Sequence, residues 1–322
     1  MTKNYYQLSS NALKIRTKWI GKFGGLPRPN VKNKEWLNLL EEESRNSLMI
    51  EGYFVGKREL KQALKTRKSA PEVVGYFDAA QQAYETAYEQ FQEKDFQINK
   101  WLIRQIHSTM FREVPNFRHP RGEWRKGEIT ITGATYQPLK DGAKIELALD
   151  KLIFLLNKKK MEPWRRAAQA HAIFELAHPF PDGNGRVGRI LASFILVAHG
   201  LSNIIIKGDT EGKKQYFECL ESADKTTGKV FRGQVSWAKI PIEDYLPLEH
   251  LIKTELANSL DKFICAEWKK QGGKLLPISM VAKQTDRKVS SLNVQCCNKQ
   301  FISIKEGGRV LTHPDLLVEP NK

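Results

Sequence analysis

The sequence predicts a mainly α-helical protein that carries a small α+β domain at its C-terminal end. Apolar residues recur every three to four positions over most of residues 36–177, which indicates a helical core. Alternating isoleucine and threonine at residues 129–132 interrupts this pattern and predicts a short β-hairpin. Near the C-terminal end, two short helical segments precede FISIK and RVLT, which predict a second hairpin.

Start and stop signals predict further helices in the core. Pro163 suits the first turn of one helix, and Gly200 ends another. The predicted ranges are residues 143–158, 162–177, 184–199, 213–222 and 242–270. The two glycines of QGGK at residues 271–274 then break the helical pattern. We therefore expect three segments: an N-terminal helical region at 1–95, a helical core with its following helices at 96–270, and a C-terminal domain at 271–322.

The C-terminal segment resembles a winged helix in the order of its elements. It carries eight Lys or Arg residues against four acidic residues, so in proportion it is no more basic than the rest of the chain. Its helix around residues 288–299 could enter the major groove of DNA. Contacts with other proteins are the alternative role of such a helix.

Composition and charge restrict the class of protein and its partners. Of the 322 residues, 41% are apolar, which is enough for a sizeable core. The 52 basic and 36 acidic residues leave a net charge of +16, which favours polyanions such as nucleic acids or nucleotides and also fits a solvated basic surface. The four cysteines lack metal-ligand spacing, and the longest apolar stretch, at 190–198, is too short to span a bilayer. We therefore expect a cytoplasmic protein with neither a cleaved signal nor a membrane span.

The segment AHPFPDGNGRVGR at residues 177–189 has the composition of an anion-binding turn. Its prolines stop the preceding helix, while Gly183 and Gly185 permit backbone angles that strain other residues. A turn that opens into a helix at about Asn184 points several backbone N–H groups, and the positive end of the helix dipole, at one place.

The side chains around this turn complete a set that suits phosphoryl transfer. They are two guanidinium groups for phosphate, a carboxylate that can hold Mg²⁺ and an imidazole that can act as a base: Arg186, Arg189, Asp182 and His178.

The same glycines also match the dinucleotide-binding pattern GxGxxG at Gly183, Gly185 and Gly188, with Asp209 about twenty residues further on. That pattern is meaningful only where a strand directly precedes the first glycine. Here the segment HPFPD follows a long helical stretch. We therefore do not predict a dinucleotide-binding fold.

The segment resembles the motif HxFx(D/E)GNGRxxR of the Fic family. All eight fixed positions match: His178, Phe180, Asp182, Gly183, Asn184, Gly185, Arg186 and Arg189. The resemblance implies an all-helical enzyme that transfers AMP from ATP to a hydroxyl-bearing side chain of another protein and releases pyrophosphate. It also implies that ATP and a target protein are the partners and that Mg²⁺ is the cofactor.

The resemblance implies a role for each motif residue as well. His178 would take the proton from a Ser, Thr or Tyr hydroxyl as that group attacks the α-phosphate, and Asp182 would hold Mg²⁺ between the α- and β-phosphates. Phe180 would anchor the loop in the core. The remaining residues would bind the nucleotide: Gly183, Asn184 and Gly185 at the phosphoryl oxygens, and Arg186 and Arg189 at the β- and γ-phosphates.

Two residues outside the motif are further candidates. Tyr216, in KKQYFECLESA, resembles one of the aromatic residues that the family places near the nucleotide base, and a core position fits it equally. His171 shares a helix face with Phe174 and His178, so we interpret it as a packed residue that supports the site.

Upstream, SRNSLMIEGYFVG resembles the inhibitory (S/T)xxxE(G/N) signature of the family at Ser47, Glu51 and Gly52. Ser47 and Glu51 are four residues apart and share one face of a helix at about residues 35–52, which Gly52 ends. The resemblance implies a charge-assisted pair between Glu51 and Arg189, which would keep this guanidinium from the γ-phosphate. Some relatives instead use this glutamate to position water for the removal of AMP, so a deAMPylase is the alternative.

The first predicted hairpin resembles the flap of the family, which pairs by its backbone with an extended segment of the target protein. The flap residues are Ile129, Thr130, Ile131 and Thr132. A small structural hairpin is the alternative interpretation.

Other functions stay open on the sequence alone. The chain could be a DNA-binding regulator in which residues 271–322 do the work and the Fic core senses a nucleotide. The loop could also transfer a different phosphate-bearing group, because it recognises phosphates more than the base. The sequence is also compatible with a homodimer.

Overall fold

The computed structural model of the chain describes residues 8–67, 69–131, 134–158 and 160–320. Helices dominate these residues, and three short strands lie near the C-terminal end, so the predicted fold class is confirmed. The strands are β1 (Leu276–Pro277), β2 (Ile304–Glu306) and β3 (Arg309–Thr312). The helices are α1 (Ser10–Lys22), α2 (Lys34–Ile50), α3 (Lys57–Thr66), α4 (Pro71–Glu93), α5 (Lys100–Phe111), α6 (Gly142–Lys158), α7 (Pro163–Ala177), α8 (Asn184–Val197), α9 (Thr210–Phe231), α10 (Leu246–Lys270), α11 (Ile278–Gln284) and α12 (Val289–Cys297).

The described residues group into two compact units. The larger unit comprises residues 28–199 and 203–252. The smaller unit draws its described residues from 8–27, 200–202 and 253–320. Among the helices within the described ranges, none is both long and apolar enough to cross a membrane.

Among the described helices of the larger unit, α8 is the most deeply buried. Every one of its residues except Gly185 is buried, which is typical of a helix that other helices surround. Helices α2, α4, α5 and α7 all contact it. Gly188 allows the close approach of α7, because a Cβ at this position would lie only 2.2 Å from Oε1 of Glu175.

The bounds of α7 and α8 follow their proline and glycine residues, as the sequence predicts. Pro163 occupies the first turn of α7, and the helix ends where His178 takes a left-handed φ of 49°. Helix α8 begins directly after Gly183. The predicted range 213–222 was too short, because α9 continues to Phe231. A 3-10 turn at Glu243–Tyr245 precedes α10, so that helix begins later than predicted.

Helix α2 carries buried polar residues into the larger unit. Its N-cap residue Asn33 accepts a hydrogen bond from the N–H of Trp36 at 3.0 Å, and the side chain of Ser47 is among those buried along the helix. Gly208 lets α2 lie against the segment that follows α8, because a Cβ there would lie 2.5 Å from the carbonyl oxygen of Asn46.

The described residues of this segment do not form the hairpin that the sequence predicts at residues 129–132. Residues 123–131 and 134–141 contain no strand, and Thr132 lies outside the described residues. The side chain of Gln137 takes the place of a pairing strand, since its Oε1 accepts from the N–H of Ile131 at 3.0 Å and its Nε2 donates to the carbonyl of Ile131 at 3.1 Å. A side-chain amide offers the same donor and acceptor as a peptide group, so this backbone is satisfied without a second strand.

The smaller unit contains an antiparallel sheet with the strand order β1-β3-β2. Strands β2 and β3 form the predicted C-terminal hairpin, with Glu306 opposite Arg309. Gly307 and Gly308 both have positive φ, as a tight two-residue turn requires. The small core beside the sheet consists of Ile278, Val281, Ala282, Leu292, Cys296 and Leu317.

Helix α1 belongs to the smaller unit, and no pattern in the sequence indicates this. Arg16 and Asp261 have no exposed side-chain surface and form an ion pair of 2.8 Å. Asp261 also accepts hydrogen bonds from Nζ of Lys299 and from the N–H of Ser303, both at 3.3 Å. The first helix and the last segment of the chain thus share one unit, while the division of the chain into the three predicted segments stays a prediction.

We predict that Asp261→Ala destabilises the smaller unit by about 3 to 5 kcal/mol, because Arg16 would remain as an unpaired charge in the interior. Amide hydrogen exchange of α1 and of residues 301–303 measures this change. Glu319→Ala is the matched control, since it removes only the exposed pair between Lys18 and Glu319 and should change exchange little. Unchanged exchange in Asp261→Ala would contradict the role of this pair.

Candidate active site

The turn between α7 and α8 brings the ends of two buried helices to one place. His178 leaves α7 in the left-handed region, at φ 49° and ψ 60°, and Gly183 enters α8 at φ 80°. A side chain at Gly183 is also sterically excluded, because a Cβ there would lie 2.6 Å from the ring of Phe111. The turn therefore presents the first backbone N–H groups of α8 together with the positive end of its dipole.

Asn184 holds the shape of this turn. Its buried side chain accepts a hydrogen bond from the N–H of Phe180 at Oδ1 and donates one from Nδ2 to the carbonyl of Phe180, both at 2.8 Å. The sequence-based prediction grouped Asn184 with the phosphate-binding residues. Because the side-chain amide is engaged with the loop itself, a donor to phosphate from this residue would be its backbone N–H.

Phe180 anchors the turn in an aromatic cluster. Its fully buried ring stacks on the ring of His107 with 3.9 Å between centroids, and the Trp124 ring lies 4.7 Å away. Nδ1 of His107 accepts from the N–H of Gly122 at 2.8 Å, so its Nε2 carries the proton and donates to the carbonyl of Asp182 at 3.2 Å. Burial lowers the pKa of His107 to about 4, and this imidazole stays neutral.

The imidazole of His178 is oriented by its own helix. Its Nδ1 lies 3.0 Å from the carbonyl oxygen of Glu175, which can only accept a hydrogen bond, so Nδ1 carries the proton of the neutral ring. The lone pair of Nε2 then has no hydrogen-bond partner in the described part of the chain. Burial lowers the pKa of His178, and the positive charge of Arg125 lowers it further. His178 is therefore a neutral base at pH 7.

Arg189 is buried and bound by residues of the upstream signature. Its Nε donates to Oγ of Ser47 at 2.8 Å, and its Nη2 donates to the carbonyl of Ser47 at 3.0 Å and to Oε1 of Glu51 at 2.7 Å. Burial opposes the charge of Arg189, but the carboxylate of Glu51 outweighs this effect and raises the pKa of Arg189. In the same way, Arg189 outweighs the burial of Glu51 and lowers the pKa of that carboxyl.

Glu51 lies against the first turn of α8. It caps the end of α2 with 34% of its side chain exposed, and a Cβ on Gly185 would lie 2.6 Å from its Oε1. Gly52 follows at φ 90°, a conformation that favours glycine and lets the chain leave the helix at this point. The carboxylate of Glu51 thus lies beside the backbone N–H groups that could bind an anion.

Asp182 and Arg186 form a second charged pair at this turn. Oδ1 of Asp182 accepts from Nη2 of Arg186 at 3.2 Å and from the N–H of Gly183 at 2.6 Å. The side chain of Asp182 is 55% exposed, whereas the guanidinium of Arg186 is buried 4.8 Å from the ring centroid of Phe111. The described residues contain no group of three or more His, Cys, Asp or Glu that could hold a metal, so a cation here would need ligands besides Asp182.

Tyr216 lies beneath the site, which fits the alternative interpretation as a core position, and its contact with a nucleotide base stays a prediction. Its side chain is 1% exposed, its hydroxyl lies 2.7 Å from Nε2 of His171, and its ring centroid lies 5.9 Å from the guanidinium of Arg189. The adjacent Phe217 is 47% exposed and presents the accessible ring of the pair. His171 is fully buried, and burial lowers its pKa to about 3, which agrees with a packed residue that supports the site.

Glu43 is a supporting residue that the sequence-based reasoning missed. It lies one helical turn before Ser47 in α2, and burial raises its pKa to about 7. Glu43, Ser47 and Glu51 recur every four residues, so the helical stripe was a signal that could have indicated it. The carboxyl of Glu43 accepts hydrogen bonds of 2.9, 2.5 and 2.6 Å from Tyr76, Tyr84 and Asn203.

Known proteins are similar to this chain in sequence. The model of the Fic/DOC family matches residues 97–196. A probable protein adenylyltransferase of Aquifex aeolicus is 31% identical over 237 residues, which are 70% of this chain and 72% of that protein. The protein adenylyltransferase Fic of Nematostella vectensis is 26% identical over 181 residues, 51% of this chain, and the match covers only 42% of the Nematostella protein.

Solved structures share the fold. A Fic domain containing signaling protein from Bacteroides thetaiotaomicron matches with a TM-score of 0.64 and 20% identity, covering 83% of this chain and 100% of that one. A Fic family protein from Desulfovibrio desulfuricans matches with a TM-score of 0.56 and 15% identity, covering 96% of this chain and 97% of that one. At these identities the likeness concerns the fold alone.

We expect Asn184→Ala to destabilise the protein by about 1 to 3 kcal/mol, because the buried N–H and carbonyl of Phe180 would lose their partners. The same change should weaken the binding of inorganic triphosphate, which isothermal titration calorimetry measures, since the turn would no longer keep its shape. Asn157→Ala is the matched control: Asn157 makes the same pair of bonds to the backbone of Ile98. Equal triphosphate affinity in both variants would contradict the role of Asn184 in the site.

Proposed function

Because this chain belongs to the Fic/DOC family and is a protein adenylyltransferase, we propose that it transfers AMP from ATP to a hydroxyl group of a protein. The acceptor is a Ser, Thr or Tyr side chain of a target protein or of the chain itself. We also propose that Glu51 inhibits this transfer. The observation that carries the proposal is the meeting of Arg189, Ser47 and Glu51 beside the turn that opens α8. A buried guanidinium at a helix N-terminus suits a phosphate group, and a carboxylate occupies it here.

His178 would act as the base of the transfer. The hydroxyl oxygen of the target forms a bond to the α-phosphorus of ATP, the bond from that phosphorus to the oxygen bridging to the β-phosphate breaks, and pyrophosphate leaves with the electron pair. Nε2 of His178 takes the hydroxyl proton, while the bond from its Nδ1 to the carbonyl of Glu175 holds the ring. Its lowered pKa keeps the ring able to accept that proton at neutral pH.

Backbone N–H groups and guanidinium groups would bind the triphosphate. The N–H groups of Asn184 and Gly185 lie in the first turn of α8, where no intrahelical acceptor exists. The N–H of Gly183 donates to Asp182 in the structure and would join them only if that bond opens. Arg186 and Arg189 would hold the β- and γ-phosphates, because both guanidinium groups lie within the first two turns of the same helix.

Mg²⁺ fits this site as a partner of the nucleotide. Mg²⁺ in nucleotide enzymes is commonly held by one or two carboxylates together with phosphate oxygens and water. The exposed carboxylate of Asp182 is suited to that role. A bound ion would neutralise part of the charge of the α- and β-phosphates.

Glu51 would inhibit by competing for Arg189. The γ-phosphate and the carboxylate of Glu51 would both need the Nη2 donor of Arg189. Both groups are negative, so they would also repel each other there. Ser47 holds the other side of the guanidinium through Nε and keeps Arg189 turned toward α2. ATP would then bind without the γ-phosphate contact that aligns its α-phosphorus.

Removal of AMP is the second candidate reaction, because Oε1 of Glu51 lies beside Gly185 and could position a water molecule there. This reaction needs a base at Glu51. Arg189 lowers the pKa of Glu51, which makes the carboxylate a weaker base while the pair persists. We therefore propose transfer as the principal reaction.

We also propose that the target docks as an extended segment along residues 129–131, where Thr130 is exposed, and that ATP is the nucleotide.

A role of the winged-helix-like segment in DNA binding has less support. Of the two cations in the predicted range, Lys288 lies at the N-cap of α12 and Lys299 is bonded to Asp261. Helix α12 itself contains no Lys or Arg, and Val289 and Val294 are exposed on it, whereas binding to DNA depends on cations that neutralise phosphates. A homodimer stays a prediction.

Glu51→Gly should raise AMP transfer at least about tenfold, since loss of one charge-assisted hydrogen bond typically changes an equilibrium by that factor or more. Incorporation of label from α-labelled ATP with Mg²⁺ measures the rate. Glu41→Gln is the matched control, because Glu41 lies in the same helix but pairs with Lys61 at 3.8 Å, and it should leave the rate unchanged. A rate in Glu51→Gly equal to or below that of the unmodified chain would overturn the inhibitory role.

The rate of the Glu51→Gly form should fall only below about pH 6.5, the ordinary pKa of histidine. Burial lowers the pKa of His178, so the neutral ring persists to a lower pH than in a free imidazole, and protonation removes the base as the pH falls further. A pH profile of label incorporation checks this, with His178→Ala as the variant that should lose transfer. An acidic limb with a midpoint above 6.5, or label retained in His178→Ala, would argue against this base.

A further inference from the structure

Arg125 is a buried cation that the roles described above do not use. Its residue is 5% exposed, and within the described part of the chain every hydrogen bond of its side chain goes to a backbone carbonyl. Nε donates to His178 at 2.6 Å, and Nη1 donates to Gly127 at 2.6 Å. Nη2 donates to Leu139 and, at 3.4 Å, to Ala177.

Two of these carbonyls are at the C-terminal end of α7. The carbonyls of Ala177 and His178 have no partner further along the helix. Helix α7 ends at Ala177, where His178 turns away with a left-handed φ, and Pro181, four residues after Ala177, carries no N–H. Arg125 supplies the missing donors, and its own N–H also bonds to the carbonyl of Pro179 at 2.8 Å. One arginine thus holds the three consecutive residues that carry the base into the turn.

The other two carbonyls lie on either side of the segment along which we propose that the target docks. Gly127 lies just before residues 129–131, and Leu139 lies after them. The planar guanidinium therefore joins the chain before and after this segment to the residue that would deprotonate the target hydroxyl. A lysine cannot replace this arrangement, because its ammonium group is a single point and lacks the rigid fork of five N–H donors.

We propose that Arg125 is a positioning residue of the transfer reaction: it fixes the backbone of His178 and aligns the imidazole with the segment that receives the target. The proposal rests on the proposed function in one respect, namely that His178 acts as the base. It goes beyond that function because Arg125 lies outside the motif of residues 178–189 and would contact neither ATP nor the hydroxyl group.

Charge is the second way in which Arg125 acts on His178. The charged groups that face this imidazole are Arg125, Glu51 and Asp182. Arg125 lowers the pKa of His178, together with burial, whereas the two carboxylates raise it. Removal of the positive charge would favour the protonated ring, so the pKa of His178 would rise and the base would be lost at a higher pH.

The test compares Arg125→Gln, which removes the charge and the fork, with Arg125→Lys, which keeps the charge and removes the fork. Arg121→Gln is the matched control. Arg121 also donates to two backbone carbonyls, those of Phe111 at 2.7 Å and Val114 at 3.3 Å, but it has no bond to the turn. Each change is made in the full-length chain, both alone and combined with Glu51→Gly.

Two measurements follow His178 and the reaction separately. Nuclear magnetic resonance of chains labelled at the histidine imidazole gives the pKa of His178, assigned by the signal that disappears in His178→Gln. Label incorporation from α-labelled ATP gives kcat and the KM for ATP. We expect the pKa of His178 to rise in Arg125→Gln and to change little in Arg125→Lys, while kcat falls at least tenfold in both and the KM for ATP stays within about twofold.

Three results would overturn the proposal. They are an unchanged kcat in both variants, a loss of activity that appears entirely in the KM for ATP, and an equal loss in Arg121→Gln, which would show a general effect on folding. If Arg125→Gln fails to fold, the kcat of Arg125→Lys decides the positioning role. If the Glu51→Gly form transfers no AMP, the proposed function fails, and the titration still decides whether Arg125 controls His178.

Discussion

The reciprocal hydrogen bonds between Asn184 and the backbone of Phe180 are the constraint on which the rest of the site depends. They close the turn between two helices that have almost no room to move, because Gly188 brings α7 and α8 into close contact. His178 stands where the turn begins, at the end of α7, and the first N–H groups of α8 stand where it ends. A base and an anion-binding helix end can then act on one ligand.

Buried residues behind the turn hold the guanidinium of Arg189 where Glu51 can bind it. Arg189 lies over the ring of Tyr216, and the hydroxyl of Tyr216 lies within hydrogen-bond distance of His171. The arginine is therefore supported by buried side chains. Helix α2 meets it with a stripe of Glu43, Ser47 and Glu51. Because the first two of these residues are buried, Glu51, with 34% of its side chain exposed, is the member of the stripe that a ligand can reach.

Local signals in the sequence predicted much of the fold and of the site, and what they missed depends on distant contacts. Proline and glycine residues marked both ends of the α7–α8 turn, and the charged motif marked its chemistry. The orientation of a side chain leaves no such mark, so the sequence did not indicate that the side chain of Asn184 binds the backbone of Phe180, and it left a core position open for Tyr216, which is buried. Helix α1 pairs with a residue 245 positions away, and Gln137 replaces a strand that alternation alone predicted.

The central claim is that the turn before α8 is the receptor for the triphosphate of a nucleotide. The most direct test is to follow the backbone amide resonances of Gly183, Asn184 and Gly185 while ATP with Mg²⁺ is added to the Glu51→Gly chain, and to repeat the titration with adenosine. The account predicts large shifts at these three amides with ATP and none with adenosine. Shifts that appear equally with adenosine, or that leave these amides unchanged while other regions respond to ATP, would contradict it.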